Sequence, residues 1–571
     1  NAVTVTNSSN IQTSGVRSTG IVSQSIGGGG GLVDITTSAL NGGNFYGEIT
    51  LGGQSAVIGS NVTVTTSGSI VTNGVLADGI LAQSIGGGGG SFGIQHIDAT
   101  ESGDGQLVFQ IGSNAVFNSQ VYGASVTVDA TKSISTAGNG STGITAQSLG
   151  LGGGLLAFNL SNVSNLSITG NLGSNSNNVG DAGIVDVSST ASISSAGQYA
   201  HLILAQSIGA GGGRLVGFSE VTPSTDVTLG SSTATTNSGG YGDTVTVNAS
   251  GSLQSFGDYS HGIVAQSIGG GGGVIDLTVS QITFGTASTS KGTGGVVTIN
   301  QTGGSVTTSG NYATGIIAQS IGGGGGLAVL SNANSSVTFG GGNSENGNGV
   351  NLTLNGTTQT SGIGSPGVIA VSIGSGGGIG FASAASSSTD LPTLVTGSGS
   401  SGAIDITLAS TATNAASITT TGAGSEALVA SSIKGGGGLW IQGSEGIAST
   451  IQGSVSGDRI TIEVTGWSNT YPAQINSSGA TTIVMFGGCD SCSNNPNVVK
   501  LSNSFSYIYN AGFTAAGMPA AVDSTTNSPN NYWAIYAPYG DNAVTNYGHI
   551  YGNINLGSKG EMYNYGYLYT T

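Results

Sequence analysis

The sequence returns eight times to a short apolar segment followed by a run of glycines. The form "AQSIGGGGG" stands at residues 82–90, 265–273 and 318–326. Glycine loses more conformational freedom than any other residue when it is ordered. A run that recurs behind the same tetrapeptide therefore indicates a structural part rather than a flexible linker. One serine marks each copy, at steps of 52 to 64 residues: Ser25, Ser84, Ser148, Ser207, Ser267, Ser320, Ser372 and Ser432.

Each copy contains short segments with the alternation typical of half-buried strands. "VTVT" is followed by turn residues, then by "SIVT", and a third strand, "GILAQSI", leads into the glycines. No amphipathic helical period is present. Tandem strands without helices predict an all-β fold, a parallel β-helix (β-solenoid) of units of about 58 residues, in which each coil packs against its neighbours.

The C-terminal tail offers a measure of coil length. "NYGHIYGNI" begins at Asn546 and "NYGYL" begins at Asn564, a step of 18 residues. We therefore expect each unit to hold two to three coils. With coils about 4.8 Å apart, ~30 coils predict a rod on the order of 140 Å long.

The glycine runs are predicted to be bare, extended backbone at places of close approach. Packing inside the solenoid is the first interpretation; packing of glycine faces between molecules and simple flexible loops stay open. Gln24 and its equivalents in the preceding strand are interpreted as satisfied interior residues rather than ligand contacts. The glycines selected as the structural motif are Gly27, Gly28, Gly29, Gly86, Gly87, Gly88, Gly269, Gly270, Gly271, Gly322, Gly323 and Gly324.

The chain changes character after about residue 450. We divide it into residues 1–450, with the eight glycine-motif repeats, and a divergent segment, 451–571, with 12 of the 18 tyrosines. Aromatic residues there either fill a cap or form an interaction surface. The densest patch, a candidate site for a glycan or protein receptor, comprises Tyr532, Trp533, Tyr536 and Tyr539.

Composition argues against several partners. Only 6% of residues are charged, and the net charge of −17 repels nucleic acid and anionic membranes. No apolar run is long enough to predict membrane insertion. The only cysteines, Cys489 and Cys492 in "CDSC", predict a small local disulfide, with a free-thiol pair or a redox motif as alternatives.

No pattern of residues points to catalysis. The 25 acidic residues are scattered, the glycine runs lack the aspartate of calcium-binding nonapeptides, and no nucleophile elbow occurs. His201 and His261 occupy the same turn of two copies and are interpreted as repeat-turn residues. We predict no enzyme, no catalytic residue, no cofactor and no metal. A polysaccharide-active β-helix enzyme, the least favoured alternative, would need carboxylates that converge in one groove.

The "AQSIGGGGG" units and the terminal "NYGHIYGNINLG" resemble passenger regions of autotransporter-type surface proteins of Gram-negative bacteria. The resemblance covers residues 1 to about 450 through the glycine motif and about the last 30 through the weaker N-x-G-x-I pattern. It implies a secreted β-solenoid at the cell surface, acting as an adhesin or a fibre.

These observations predict a non-enzymatic extracellular protein that builds a surface fibre or adhesive stalk. The first and last segments, "AVTVTNSSN" and "YNYGYLYTT", have the pattern of uncapped strands. Unpaired strands invite pairing, so we expect self-association through the solenoid ends or the glycine faces. The alternative is an adhesin that binds a glycan or protein through the aromatic patch.

Overall fold

The chain is an all-β parallel β-helix, which confirms the predicted fold class. In the described part of this computed structural model, one 3-10 turn, Gly443–Glu445, accompanies the strands. Five sheets, here named A to E, are visited in this order along the chain. The structure describes residues 1–38, 45–53, 57–97, 103–112, 121–160, 163–173, 180–219, 223–230, 240–279, 281–285, 292–330, 336–340, 344–382, 393–394, 397–451, 457–487, 497–510, 533–538, 541–558 and 560–569.

Sheets A and B are built from the alternating segments of each copy and have 12 strands each. Sheet A contains Val3–Asn7, Val62–Thr66, Val126–Ala130, Val185–Ser189, Val245–Ala249, Val297–Gln301, Val350–Leu354, Ile404–Ala409, Ile460–Thr465, Asn497–Leu501, Asn542–Asn546 and Glu561–Asn564. Sheet B contains Ile11–Thr13, Ile70–Thr72, Ile134–Thr136, Ile193–Ser195, Ser252–Ser255, Ser305–Thr308, Thr357–Thr360, Ser417–Thr420, Ala473–Ser477, Ser506–Asn510, His549–Tyr551 and Tyr567–Tyr569.

Sheet C is formed by the strand before each glycine run and has 11 strands. In coils 2 to 8 these strands are buried on both faces, which explains their nearly continuous apolar character. Its strands are Ile21–Ile26, Ile80–Ile85, Ile144–Leu149, Ile203–Ile208, Ile263–Ile268, Ile316–Ile321, Val368–Ile373, Leu428–Ile433, Ile483–Gly487, Ile535–Tyr536 and Ile554–Asn555.

Sheets D and E follow the glycines and form a lobe beside sheet C. Sheet D contains Gly30–Ser38, Gly89–Ile97, Gly153–Leu160, Gly212–Ser219, Gly272–Val279, Gly325–Leu330, Gly377–Ala382, Gly437–Gln442 and Ile447–Ile451. Sheet E contains Phe45–Leu51, Gly103–Ile111, Val163–Leu172, Ser224–Leu229, Gln281–Phe284, Ser336–Phe339 and Thr393–Leu394.

Each glycine-motif repeat is one coil, so the predicted two to three coils per unit is wrong. Val3 pairs with Val62, which is the same position of the next repeat, and Val62 pairs with Val126 in the same way. In each repeat the first three strands complete one turn of sheets A, B and C. The chain then turns outward at the glycine run, and the remaining residues form sheets D and E. We number the coils 1 to 12 by their sheet A strands. Eleven intervals of about 4.8 Å give a rod of about 50 Å, not 140 Å.

Three large hydrophobic cores run side by side along this axis in the described part of the chain. The first lies inside the triangle of sheets A, B and C, and includes Val64, Ile70 and Ala82. The second lies between the outer face of sheet C and sheet D, and the third lies between sheets D and E. The apolar residues of these cores therefore pack between neighbouring sheets.

The lobe ends near residue 450, while the triangle continues. Ile447–Ile451 pairs antiparallel with Gly437–Gln442, whereas every other strand pairing described is parallel. The triangular core extends on to Ile550, so the two segments predicted from composition share one core. In the last coils, Ala543 pairs with Glu561, which confirms the compact 18-residue coil for the tail alone.

Candidate functional site

The glycine run turns the chain from sheet C into sheet D. In the second copy, Gly86 to Gly88 form a bend, and Gly89 and Gly90 begin the next strand. Gly87 and Gly88 have φ values of 77° and 96°, which disfavour L side chains. The run is therefore a corner rather than the single straight segment predicted, because positive φ values redirect the backbone.

The corner leaves no room for side chains. A Cβ added at Gly88 would lie 2.7 Å from the Cα of Gly52, and one at Gly271 would lie 2.5 Å from the Cα of Gly230. The structure places all 12 predicted motif glycines at this corner. In coil 2 the whole run is buried within the chain, which agrees with packing inside the solenoid.

A second glycine column, missed by the sequence analysis, faces the first. It follows the strands of sheet E and meets the corner glycines of neighbouring coils. Its signal was a glycine directly behind each apolar strand, as in "VFQIG", which is hidden in variable sequence. Its members are Gly52, Gly112, Gly173, Gly230, Gly285 and Gly340.

The glutamines form a ladder between sheets C and D. The Gln83 amide donates to Gln147 Oε1 at 2.6 Å, and the Gln147 amide donates to Gln206 Oε1 at 2.6 Å. The same bond joins Gln24 to Gln83, Gln206 to Gln266 and Gln266 to Gln319. These side chains are satisfied inside the chain, as the sequence predicted.

The serine that marks each copy makes hydrogen bonds between coils. Ser148 Oγ donates to the Ala124 carbonyl and accepts from the Gly183 N–H, both at 2.8 Å. The hydroxyl thereby joins sheet C to the segments that enter sheet A in two successive coils. The sequence marked each copy by this serine but did not reveal its hydrogen bonds.

A buried ionic cluster lies between sheets C and D across coils 2 to 5. Arg214 Nε donates to Asp276 Oδ2 at 2.7 Å, and His201 Nε2 lies 3.1 Å from the same oxygen. The Arg214 guanidinium also donates to Thr142 Oγ1 at 2.8 Å. Asp78 lies 3.9 Å from Arg214 and completes the cluster. Arg214, His201 and Asp276 are fully buried.

The local hydrogen bonds determine which ring nitrogen of His201 carries the proton. Its Nδ1 accepts the His261 backbone N–H at 3.2 Å, so its Nε2 carries the proton donated to Asp276. His261 stacks on His201 with ring centroids 5.0 Å apart. Of the two histidines predicted to occupy a repeat turn, His201 also makes a buried contact with a carboxylate that the sequence did not reveal.

Burial and neighbouring charges shift the pKa values of the two carboxyl groups in opposite directions. Burial raises the pKa of Asp78 although Arg214 opposes the shift. Burial would also raise the pKa of Asp276, but His201 and Arg214 together lower it below its ordinary value. Burial lowers the pKa of His261 well below its ordinary value. With its described members shielded from solvent, the cluster fits a role in holding coils in register.

A groove of about 390 Å³ lies on the outer face of sheet E. Its acidic residues are Glu48 and Asp226, and register places them three strands apart through Val108 and Thr169. Three intervals of about 4.8 Å separate their backbones by about 14 Å. Glycosidase carboxylates are about 5 to 9.5 Å apart. The enzyme alternative gains no support from the described lining of this groove.

Of the predicted aromatic patch, the two residues that the structure describes, Trp533 and Tyr536, are not exposed. Tyr536 is 6% exposed and packs in the core between sheets C and D, and partly buried Trp533 lies 6.2 Å from it. Tyr536 is thus corrected to a packing residue that covers the core where sheet D ends. Tyr532 and Tyr539 lie outside the described residues, as do Cys489 and Cys492.

Glu426 of coil 8 is a buried carboxyl with one open oxygen. Its Oε1 accepts the Ile447 N–H at 2.9 Å, and its Oε2 has no hydrogen-bond partner among the residues the structure describes. Burial raises the pKa of Glu426 to about 7. Between pH 4.5 and 7, Glu426 therefore holds a proton in the folded chain and releases it when the chain unfolds.

We predict that Glu426→Gln removes a pH dependence of stability between pH 4.5 and 7. Because the folded pKa is raised, the stabilisation is complete below 4.5 and is lost as pH rises through 7, a change on the order of 3 kcal/mol. Urea unfolding at pH 4.5 and 8 measures it. Glu445→Gln, at an exposed neighbour, should keep the wild-type pH dependence. An unchanged pH dependence in Glu426→Gln would contradict the assignment.

Comparison of the chain with models of protein families, with curated proteins and with solved structures gave no match. Over the described part of the chain, no helix has the length and apolar character to cross a membrane. Likewise, no group of three or more His, Cys, Asp or Glu side chains is arranged to hold a metal ion within those residues.

Proposed function

We propose that this chain is a non-enzymatic extracellular structural protein that forms a rigid stalk or fibre at the surface of a Gram-negative bacterium. The observation that carries the proposal is the in-register continuity of its sheets and cores. Sheets A and B each contain 12 strands, and one apolar core extends from Ile21 to Ile550. Such a ladder resists bending because each coil is hydrogen-bonded to its neighbours along several sheets.

The interior supports the same proposal. The described glutamines hydrogen-bond along the axis, and the ionic cluster links side chains from four coils. These polar groups are enclosed and paired, an arrangement that suits a scaffold. The location and secretion of the chain are part of the proposal and come from the resemblance to autotransporter passengers.

Self-association is proposed through the ends rather than through the glycine faces. The coil 2 glycine corner is buried in the chain, which leaves that face inaccessible to another molecule. In the first and last described coils the triangular core is partly exposed, through Val3 and Val5 in coil 1 and through Met562 and Leu568 in coil 12. Head-to-tail contact between such different faces would generate an open filament.

We predict filaments in which coils continue from one molecule to the next. Negative-stain microscopy and sedimentation of the purified chain should show end-to-end polymers that lengthen with concentration. Val5→Lys, which places a charge at the partly buried first strand, should yield single rods. Thr4→Lys, at an exposed position of the same strand, is the matched control. Monomeric rods of wild-type protein at high concentration would refute self-assembly but not the stalk.

A further inference from the structure

Five asparagine–glycine pairs lie within the described residues, and the coils surround them differently. The pairs begin at Asn73, Asn139, Asn346, Asn348 and Asn355. An asparagine before a glycine is prone to lose its side-chain amide, because the glycine nitrogen can attack the side-chain carbon with no Cβ in the way. The attack requires the two groups to meet, so the fold determines which pair reacts.

In two of the pairs, a neighbouring coil holds the attacking nitrogen. The N–H of Gly140 donates to the Gln198 carbonyl at 2.7 Å, and the N–H of Gly347 donates to the Ser400 carbonyl at 2.8 Å. Asn346 Oδ1 also accepts the N–H of Ser400, at 2.8 Å. These glycine nitrogens are therefore directed to the next coil rather than to the side chain that they would attack.

In two further pairs, the glycine is packed too closely to rotate. A Cβ added at Gly74 would overlap the Gly15 carbonyl oxygen, and one at Gly356 would lie 2.6 Å from the Gly303 carbonyl oxygen. Turning either peptide toward the preceding asparagine would require the neighbouring coil to move.

The pair of Asn348 and Gly349 differs in both respects. The Gly349 N–H donates to Oδ1 of Asn348 itself at 2.9 Å, so its nitrogen already lies beside the side chain that it would attack. A Cβ at Gly349 would meet only the Ala403 carbonyl oxygen, at 3.7 Å, which leaves room for the peptide to turn. Asn348 is exposed, so water reaches its side chain.

We propose that Asn348 is a site of spontaneous deamidation, at which the folded chain acquires a negative charge with age. The Gly349 nitrogen loses its proton and attacks Asn348 Cγ. A C–N bond forms, the Cγ–Nδ2 bond breaks, and the side-chain amide takes up a proton and leaves as ammonia. Water then opens the succinimide at either carbonyl, which gives aspartate or isoaspartate. The proposal does not depend on the stalk or on filament formation.

The aspartate product fits this position of the repeat. Asp243 and Asp458 occupy it in coils 5 and 9, two residues before the sheet A strand, and each accepts the following N–H, at 2.6 and 2.7 Å. Isoaspartate would add a carbon to the backbone where Asn348 is hydrogen-bonded to Ser320 and Ser372. We therefore expect the folded chain to form a larger share of aspartate than the unfolded chain forms.

Peptide mapping by mass spectrometry tests the proposal. The folded chain, and the same chain unfolded in guanidinium chloride, are incubated in mildly alkaline buffer, and the replacement of –NH₂ by –OH is followed at each of the five asparagines. In the unfolded chain we expect comparable rates at all five. In the folded chain, Asn348 should react within severalfold of its unfolded rate, and the other four should be slower by at least about tenfold.

Three variants separate the local geometry from folding. Gly349→Ala should slow the reaction of Asn348 by about tenfold, because the added Cβ hinders the attack. Asn346→Gln removes the neighbouring pair and should leave the rate at Asn348 unchanged. Asn348→Asp, which carries the aspartate product, should unfold at the same denaturant concentration as the wild type. Circular dichroism verifies that each variant is folded.

Several outcomes would overturn the proposal. Asn348 could be protected in the folded chain as strongly as Asn139 and Asn346, or one of the other four asparagines could react faster than Asn348. An unchanged rate in Gly349→Ala would exclude attack by this nitrogen. Lower stability of Asn348→Asp would show that the position does not accommodate the product.

Discussion

Gly152→Ala is expected to destabilise coil 3 by about 4 kcal/mol, because steric overlap and backbone strain add at one position. The new Cβ would lie 2.5 Å from the Cα of Gly112 and 2.8 Å from the carbonyl oxygen of Gly88. Neither neighbour is a flexible side chain that can move aside. Gly152 also has φ at 94°, where an L residue is strained.

The effect should be largest near the substituted coil, since coils contact only their neighbours. Hydrogen exchange is expected to accelerate in Gly89–Ile97 and Gly153–Leu160, the two sheet D strands beside the corner, and urea should unfold this region at lower concentration. Gly349→Ala is the matched control, because its Cβ would meet only the Ala403 carbonyl oxygen at 3.7 Å. We expect a change within about 0.5 kcal/mol there. Equal effects at both glycines would show that the corner is not tightly packed.

The repeat made the fold class predictable from sequence, but it did not determine the cross-section. Residues such as Val3, Val62 and Val126 recur with the pattern and become register partners. The coil count failed because the step of 18 residues was measured in the tail, where the coils are triangular. Nothing in that step could reveal that the earlier repeats carry a side lobe.

The candidate site was predictable only where it repeats. The glutamine ladder follows from a residue that recurs at one strand position. Arg214 and Asp276 are not part of the repeating pattern, and they are 62 residues apart. Their contact depends on the register of sheet D, in which Arg214 pairs with Val274, two residues before Asp276. The stacked rings of the last coils, such as Tyr551 and Tyr569, were missed for a related reason, because density along the sequence favoured Trp533 and Tyr536.

Arg214→Met is expected to destabilise the protein by about 3 to 5 kcal/mol, because it leaves buried carboxyl groups without their cation. Methionine fills much of the same volume, so the lost charge and hydrogen bonds dominate. Asp276 would keep only its contact with His201, and the Tyr199 carbonyl would lose a donor at 2.6 Å. Equilibrium unfolding in urea at pH 7 measures the change.

The surface pair Arg459 and Asp405 supplies the control. Their atoms are 3.0 Å apart, but the side chains are 34% and 42% exposed. Arg459→Met should therefore change the free energy of unfolding by no more than about 1 kcal/mol. A similar loss in both variants would mean that burial adds nothing to the Arg214 contacts.

The pH dependence of the loss identifies the carboxylate responsible. In the wild type the pKa of Asp276 is lowered, so its contribution is present above the ordinary value of 3.8 and is lost as pH falls through the folded pKa. Without Arg214, burial disfavours the charged carboxylate, and protonation relieves the penalty. The destabilisation by Arg214→Met should thus be largest at neutral pH and shrink toward pH 3. Asp276→Asn combined with Arg214→Met should recover part of the stability lost at neutral pH, because the amide oxygen still accepts from His201 and the side chain carries no charge. If no stability is recovered, the buried charge of Asp276 is not the cause of the loss.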